Sequence, residues 1–424
     1  MKELIDRVLS TSERVFKTDT RYIARNGSWQ YIGMFASALS GLAIASAFAR
    51  FLTPTTYGLY KYIQSIASTA SAVSLDGMGL SVTQAAARGV HSSLARGVRY
   101  ALLWNILVGI LSLVVASYYA LKGDMMLAGG IALSALLFPL YLSFDMYKSY
   151  LVGVKEFGRL AKYRIFEAIG VAVILISAAY LSDSPVILVG TYYAAYAGIS
   201  AVLFFHLRKT IRHVQDASGE SADDLFSFGL HNSAMRFLGP IARNIDKIAV
   251  FQFLGPAELA IYAFATALPD QLKMVTNLRQ LMMPRFAKRT LQEIRRTAIR
   301  KATLLTLVVG VIITTYIAAA PYIYALLFPA YIESVWYSQL YALSMLAVGG
   351  SVVSAAHTAH KKVKHLYAQT MFQPLLRIVL TLVLGWQYGL LGVVGAVIIA
   401  RFAGLIFSFI LLFALRDDVE VKAA

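Results

Sequence analysis

The chain has 424 residues and no cysteine; 58% of its residues are hydrophobic, only 14% are charged, and its formal net charge is +17. Soluble globular domains contain about 25% charged residues, so the composition excludes that class, and the lack of cysteine excludes disulfides and thiolate sites. A membrane span needs about 20 mostly apolar residues, and the apolar runs therefore predict an all-α polytopic membrane protein of about 12 transmembrane helices.

The first segment, residues 1–28, is basic and has no apolar core of the kind that a secretory signal peptide contains. Leu4, Ile5, Val8 and Leu9 recur at helical spacing among its charges. This pattern predicts a basic amphipathic helix on the cytoplasmic surface of the membrane. A frayed basic tail is the alternative that the sequence leaves open.

Apolar runs separated by short polar breaks follow, as expected for helices that cross a membrane in succession. They predict spans 1 to 12 at residues 29–52, 57–83, 98–120, 125–149, 163–182, 185–206, 227–253, 257–283, 301–320, 334–358, 365–386 and 389–414. The spans define an N-terminal six-helix bundle (29–210), a cytoplasmic linker (211–226), a C-terminal six-helix bundle (227–415) and a cytoplasmic tail (416–424).

Lys and Arg are distributed unequally between the two sides of the predicted bundle. Starting from the basic N-terminus, every second break carries a cluster of cations, whereas the intervening breaks hold only Lys122. Cytoplasmic loops carry the excess of positive charge in membrane proteins, so both termini are predicted to be cytoplasmic. This asymmetry accounts for most of the net charge, and we therefore expect no nucleic-acid binding.

One segment recurs about half a chain length later. The repeat aligns Phe51-Leu-Thr-Pro-Thr-Thr-Tyr-Gly-Leu-Tyr60 with Phe253-Leu-Gly-Pro-Ala-Glu-Leu-Ala-Ile-Tyr262. Each copy closes one span, turns at a proline and opens the next span. Because six spans separate the copies, both halves enter the membrane in the same direction, which predicts parallel repeats that enclose a central cavity. Chance similarity between short apolar segments is the alternative.

Charged side chains lie within the predicted spans, where an ionised residue that faces lipid costs about 2.5–3.5 kcal/mol. The cations are Arg50, Lys61, Arg236, Arg243, Lys247, Lys273, Arg279, Arg377 and Arg401, and the acids are Asp76, Asp145, Glu167, Asp246 and Asp270. The cations outnumber the acids, so complete pairing still leaves a positive surplus. A positive cavity with low-dielectric walls attracts an anion.

Span 7 carries the clearest pattern of charge. Asn232, Arg236, Arg243 and Lys247 recur on one face of its helix, and Asp246 lies one turn beyond Arg243, where it can neutralise that arginine in part. The face is cationic across most of the predicted span, which predicts an anion-binding wall of the cavity. Structural ion pairs that tie helices together are the alternative.

Three further features add to the predicted site. Gly239-Pro240 lies within span 7, where proline removes a backbone hydrogen bond and favours a kink. Asp270 lies one turn before Lys273 in span 8 and is its predicted partner. Arg50 lies beside the first proline turn, where it either lines the cavity mouth or extends to lipid headgroups. The candidate substrate-binding residues are Arg50, Arg236, Arg243, Lys247 and Lys273.

Other polar residues are expected to have structural roles. Asp145 and Lys148 are one turn apart and are predicted to form a local pair, and a structural role is favoured for Arg377 and Arg401. No nucleotide-binding or hydrolytic motif is present, so we expect neither enzymatic activity nor a cofactor. We also expect no metal site, because the neighbouring lysines would repel a cation at the histidines that close span 10, His357, His360 and His365.

The segments Ala49-Arg-Phe-Leu-Thr-Pro-Thr-Thr-Tyr-Gly-Leu-Tyr60 and Asn244-Ile-Asp-Lys-Ile-Ala-Val-Phe-Gln-Phe-Leu-Gly-Pro-Ala-Glu-Leu-Ala-Ile-Tyr262 resemble those of the polysaccharide-transporter family, the O-antigen type of lipid-linked oligosaccharide flippase. This family belongs to the multidrug/oligosaccharidyl-lipid/polysaccharide (MOP) superfamily. The resemblance implies two six-helix bundles around a cationic lumen. It also implies alternating access that carries a sugar pyrophosphate outward while the polyprenyl tail stays in lipid. By position, the lumen cations that it implies are Arg50, Arg236, Arg243 and Lys247.

We therefore expect a flippase of the bacterial cytoplasmic (inner) membrane that moves polyprenyl-pyrophosphate-linked oligosaccharide, such as an O-antigen, capsule or exopolysaccharide repeat unit, to the outer leaflet. Expected partners are this lipid, membrane lipids and other polysaccharide-assembly proteins. Coupling to Na⁺ or H⁺ through Asp246 or Asp270, or to the membrane potential, is left open. The alternatives are a cation-coupled multidrug antiporter, which should favour acids in its cavity, and a membrane-embedded glycosyltransferase or polymerase, which should have a long outer loop.

Overall fold

The computed structural model describes residues 20–211, 216, 222–276, 291–350, 353 and 363–414. Within these residues the chain is helical nearly throughout and has no strand. Seven of the described helical segments are long and apolar enough to cross a membrane. The predicted all-α membrane fold is confirmed, and the amphipathic segment predicted before residue 20 lies outside the described residues.

The N-terminal half follows the six predicted spans closely. Its helices are α1 Thr20–Phe51, α2 Pro54–Ala70, α3 Met78–Ala87, α4 Ser93–Leu121, α5 Met125–Phe144, α6 Tyr147–Gly153, α7 Phe157–Leu181 and α8 Pro185–Ile211. Span 2 consists of α2 followed by α3, and span 4 consists of α5 followed by α6. Both spans are therefore broken rather than continuous.

The C-terminal half repeats this arrangement. Its helices are α9 Ala222–Arg236, α10 Leu238–Leu254, α11 Pro256–Thr276, α12 Leu291–Leu327, α13 Ser334–Leu343 and α14 Val363–Ala414. Span 7 is α9 followed by α10, and α14 contains spans 11 and 12, which separate at Gly389, where φ is 58°. The last residues predicted for spans 8 and 10, and the histidines of span 10, lie outside the part of the chain described in side-chain detail.

The break in span 7 has a local chemical cause. The helix is interrupted at Phe237, between α9 and α10. Pro240 has no N–H to bond to the carbonyl of Arg236, and its ring crowds that carbonyl, so the helix cannot continue regularly through this turn. The kink predicted at Gly239-Pro240 is confirmed to within one helical turn.

The two copies of the repeated segment contact each other where they turn. A Cβ on Gly58 would lie 1.8 Å from the carbonyl oxygen of Pro256, so only glycine allows the two backbones to come this close. Tyr57 stacks on Phe264 with ring centroids 4.5 Å apart, and Phe264 in turn contacts Tyr331. We call this end of the molecule the proline-turn end and the opposite one, where α8 ends at Ile211 and α9 begins at Ala222, the linker end. A buried aromatic core closes the two halves together at the proline-turn end.

Replacing Gly58 with alanine should separate the halves at this contact. The added methyl group collides with backbone rather than with a flexible side chain, and overpacking of this kind costs about 1–3 kcal/mol or more. We expect a lower unfolding temperature for Gly58→Ala, measured by intrinsic fluorescence of the protein in detergent.

The matched control is Gly129→Ala in α5, where an added Cβ meets no atom within 4 Å. This variant should unfold at the wild-type temperature or above it, since alanine favours helix more than glycine does by about 1 kcal/mol. Equal unfolding temperatures for Gly58→Ala and wild type would show that the halves are not in backbone contact at Pro256.

Candidate functional site

A cavity of about 510 Å³ lies beside the breaks in spans 2 and 7. Asp76, on the non-helical segment between α2 and α3, lines it from the N-terminal half. The kink between α9 and α10 and two residues of α14, Met371 and Pro374, line it from the C-terminal half. Its charged residues are Asp76, Arg236 and Arg243, so its walls carry an excess of positive charge.

Arg243 supplies a charge that forms no pair with the acids of the described residues. Its side chain is exposed and makes no salt bridge or hydrogen bond with any residue that the structure describes. Lys247 follows one turn later on α10 and likewise has no salt bridge within the described part of the chain. Within the described residues, Arg243 and Lys247 therefore present two cations without salt bridges along one face of α10.

A third cation reaches this region from the other half. Lys61 of α2 is close enough to Lys247 for the two ammonium groups to repel each other. Its Nζ lies 5.3 Å and 5.4 Å from the ring centroids of Tyr57 and Tyr60, and it donates to Gln64 Oε1 at 3.4 Å. Lys61 therefore adds to the positive charge near Lys247, at the contact between α2 and α10.

Asp246 does not neutralise Arg243 as the sequence suggested. Its side chain is buried, and its Oδ2 accepts hydrogen bonds from Arg377 Nη2 at 2.7 Å and from the Tyr262 hydroxyl at 2.5 Å. Its Oδ1 accepts from the backbone N–H of Lys247 at 2.9 Å. The short aspartate side chain stays inside the packed bundle, whereas the longer arginine extends to the cavity. The structural role favoured for Arg377 is confirmed.

The N-terminal half contains a comparable ion-pair network. Lys148 Nζ lies 2.6 Å from Asp145 Oδ1 and 2.8 Å from Glu167 Oε2, so the predicted pair of Asp145 and Lys148 is confirmed and extended by a second acid. Glu167 is buried and also accepts hydrogen bonds from the Tyr147 and Ser200 hydroxyls. These contacts satisfy a buried charge internally and tie spans 4, 5 and 6 together.

Span 8 supplies an acid that contacts Tyr341 within the C-terminal half. Asp270 is exposed, and its Oδ1 accepts a hydrogen bond from the Tyr341 hydroxyl at 3.2 Å. Arg401 donates to Ser344 Oγ at 2.6 Å and lies over the Tyr341 ring, which confirms its structural role. Lys273 belongs to α11, but its side chain, and with it the predicted pair with Asp270, lies outside the described residues.

Arg50 lies at the proline-turn end, apart from the cations of span 7. Its Nη2 donates to the carbonyl oxygen of Leu326 at 3.1 Å, and Ser46 Oγ donates to that of Leu327 at 3.0 Å. The last carbonyls of a helix lack partners and form the negative end of its dipole, so a guanidinium stabilises them. Arg50 thus joins α1 to the end of α12 across the two halves.

The breaks in spans 2 and 7 meet at the cavity. Arg236 Nη1 lies 3.4 Å from Asp76 Oδ2, and the two side chains are 52% and 60% exposed. The backbone N–H of Gly77 donates to Ser233 Oγ at 2.8 Å. The structure therefore brings Arg236 and Arg243 together as predicted and adds Asp76 to them.

Lys61 and Asp76 are the residues of this site that sequence reasoning did not select. Lys61 lies near this site because of the face of α2 that meets α10. Asp76 lies in it because of a helix break that no proline marks. The signal available for both was their position within a predicted span, where any charge requires a partner.

Solved structures share this fold. One, described as lipid II flippase MurJ in an inward closed conformation, is 12% identical and covers 91% of this chain and 88% of its own, with a TM-score of 0.64. An inward-facing multidrug resistance MATE family transporter is 13% identical over 91% of this chain and 96% of its own, with a TM-score of 0.67. An outward-facing one is 14% identical, covers 93% and 94%, and has a TM-score of 0.61.

The two helical halves of this chain therefore share the fold of these solved flippase and transporter structures. A sequence search among curated proteins finds no significant match. A family model described as "Polysaccharide biosynthesis protein" matches residues 47–336. The chain belongs to this polysaccharide biosynthesis family, as its resemblance to polysaccharide transporters indicated.

Scaffold and cavity cations should differ in their effect on stability. Arg377→Met leaves the carboxylate of Asp246 buried without its cation, which costs about 3–5 kcal/mol, whereas Arg243→Ala removes an exposed charge that has no ion pair. We expect a lower unfolding temperature for Arg377→Met and an unchanged or higher one for Arg243→Ala.

The double variant Asp246→Asn/Arg377→Met separates this effect from general loss of packing. It removes both charges, so its unfolding temperature should lie between those of Arg377→Met and the wild type. A double variant as unstable as the single one would show that the unpaired carboxylate is not the cause.

Proposed function

We propose that the chain is a flippase that moves polyprenyl-pyrophosphate-linked oligosaccharide from the cytoplasmic to the outer leaflet of the bacterial cytoplasmic membrane. The observation that carries this proposal is the cavity between the two halves, whose charged lining of Arg236, Arg243 and Asp76 has an excess of positive charge, with Lys247 one turn further along α10. Membership of a polysaccharide biosynthesis family and the fold shared with a lipid II flippase support the same class of substrate.

The chemistry of the site suits a pyrophosphate group. Arginine presents a planar fork that binds phosphate oxygens through two parallel hydrogen bonds, and lysine supplies a compact positive charge. A pyrophosphate in the cavity would meet the guanidinium groups of Arg236 and Arg243, with Lys247 one turn further along α10. The largely apolar helices around the site strengthen this attraction, because they exclude water.

The arrangement of the halves supports alternating access. The proline-turn end is closed by backbone and aromatic contacts, and the cavity lies towards the linker end. The excess of Lys and Arg in the loops at the linker end supports a cytoplasmic location for that end. Moving a negative head group outward across a membrane that is negative inside is favourable by about 2.3 kcal/mol per charge per 100 mV, so the membrane potential can contribute to transport.

The two carboxylates considered for ion coupling, Asp246 and Asp270, differ in their exposure to solvent. Both carboxylate oxygens of Asp246 are engaged by Arg377, Tyr262 and a backbone N–H. Asp270 is exposed on α11. Na⁺ and H⁺ are both compatible with an exposed carboxylate.

A cation-coupled multidrug antiporter is the second candidate function. The fold shared with MATE transporters and the exposed Asp270 favour it. Against it stands the charge of the cavity, since a carrier of organic cations requires an excess of acids where this chain has Arg236 and Arg243.

Native mass spectrometry of co-purifying lipids tests the proposal directly. Wild-type protein should retain polyprenyl-pyrophosphate sugars, and the triple variant Arg236→Ala/Arg243→Ala/Lys247→Ala should lose them, because it lacks the charges that hold the pyrophosphate.

A triple variant of exposed cations away from the cavity, Arg99→Ala/Lys162→Ala/Lys209→Ala, loses the same net charge and should retain the lipid. Equal retention by both triple variants would contradict the assignment of the site. Organic cations bound in place of the lipid would support the antiporter.

Reversal of charge at one position gives a sharper test of transport. Arg243→Glu places a carboxylate where the pyrophosphate is proposed to bind, so we expect flipping of a polyprenyl-pyrophosphate sugar in proteoliposomes to fall by about 100-fold or more, the effect of exchanging attraction for repulsion in a partly buried site. Arg243→Lys keeps the charge and should retain a substantial rate. Undiminished flipping by Arg243→Glu would exclude this residue from the pathway.

A further inference from the structure

The ion pair between Asp76 and Arg236 lies in the wall of the cavity where the proposed function places an anion. Arg236 Nη1 is 3.4 Å from Asp76 Oδ2, and both side chains are more than half exposed. Unlike Asp246 and Glu167, which are buried in the packed halves, Asp76 faces the same cavity as Arg236 and Arg243. Its carboxylate competes for the cation that a pyrophosphate would use.

We propose that Asp76 is an internal competitor of the substrate: its carboxylate holds Arg236 in the absence of the anion, yields it when a pyrophosphate enters, and pairs with it again to promote release. This inference rests on the proposed function and extends it. A carrier must bind its substrate tightly enough to select it and weakly enough to release it on the other side. Release is the difficult step for an anion that several cations hold in a low-dielectric cavity, and a competing carboxylate makes it easier.

The backbone around Asp76 allows such an exchange. Asp76 lies on a non-helical segment between α2 and α3, so its position is not fixed by helix hydrogen bonds. The next residue, Gly77, is anchored by its hydrogen bond to Ser233, and an added Cβ there would lie 2.5 Å from the carbonyl oxygen of Gly229. The main chain is therefore fixed on α9 while the side chain of Asp76 stays free to turn.

A second cavity is available to the displaced carboxylate of Asp76. Asp76 also lines a smaller cavity of about 140 Å³, whose walls include Tyr141, Ser149 and Asp145. The hydroxyl groups of Tyr141 and Ser149 are donors that a carboxylate can use. Asp145 carries a like charge, partly neutralised by Lys148, and makes this second position less favourable than the pair with Arg236. Asp76 thus returns to Arg236 when the anion leaves.

The proposal requires that Arg236 bind a pyrophosphate more strongly than it binds Asp76. An exposed pair with a single contact at 3.4 Å is weak. Phosphate oxygens bind arginine through shorter, paired hydrogen bonds and are stronger ligands. A pyrophosphate therefore displaces Asp76, but it binds less tightly than it would to a free Arg236.

Binding of inorganic pyrophosphate tests the inference. In isothermal titration of the full chain in detergent, Asp76→Asn should bind pyrophosphate about three- to tenfold more tightly than wild type, since an exposed ion pair and one like charge are removed. Asp76→Glu retains the carboxylate and should bind with wild-type affinity. Asp183→Asn removes an equally charged, exposed residue at the proline-turn end and should leave the affinity unchanged.

The double variant Asp76→Asn/Arg236→Gln identifies the group for which Asp76 competes. Its affinity should fall back to that of Arg236→Gln alone, because without Arg236 there is no cation to release. If the double variant kept the full gain, competition for Arg236 would be excluded, and general repulsion would explain the effect.

Failure of the inference differs from failure of the proposed function. Equal affinities for Asp76→Asn and wild type would overturn the competitor role, while the function would stand as long as wild type binds pyrophosphate and Arg236→Ala/Arg243→Ala/Lys247→Ala does not. Absence of pyrophosphate binding by wild type and by Asp76→Asn would overturn both.

Discussion

A charge inside a membrane protein must be compensated within the protein, because lipid offers nothing to solvate it. Each half of this chain meets that requirement with its own network. Lys148 lies between two carboxylates in the N-terminal half, and Asp246 holds Arg377 in the C-terminal half. Among the described cations that these pairs do not include, Arg236 and Arg243 line the cavity where the halves meet. The proposed substrate site is therefore the part of the charge distribution that lies outside these two buried networks.

The positions of the helix breaks decide where that surplus is presented. Pro240 ends regular hydrogen bonding at the carbonyl of Arg236, so α9 and α10 point their cations into one cavity from two directions. The break in span 2 frees Asp76 from a helix and brings it to Arg236. Broken helices at the midpoint of transporters serve ligand binding in this way, since backbone irregularity is tolerated only where it lines a cavity.

Much of the fold could be predicted from the sequence, because apolar length, charge asymmetry and the repeated proline turn are local or periodic signals. The kink near Pro240 and the pair of Asp145 with Lys148 belong to the same class, since proline chemistry and helical spacing determine them. The partner of Asp246 could not be predicted in this way, because residues 246 and 377 meet only through packing between spans. Lys61 was not among the predicted substrate-binding residues for the same reason, because its proximity to Lys247 depends on how the two halves pack together.

The contact between Gly58 and Pro256 joins one copy of the repeat to the other, as two identical six-helix chains would meet in a symmetric dimer. In such a dimer every substitution occurs twice, so a cation added to one wall also appears on the other. Joining the copies in a single chain removes this restriction. Span 7 carries Arg243 and Lys247 where the aligned positions of span 1 are Gly41 and Ala45. Duplication followed by fusion thus permits a one-sided cavity, which suits a cargo that has a charged head at one end and a lipid tail at the other.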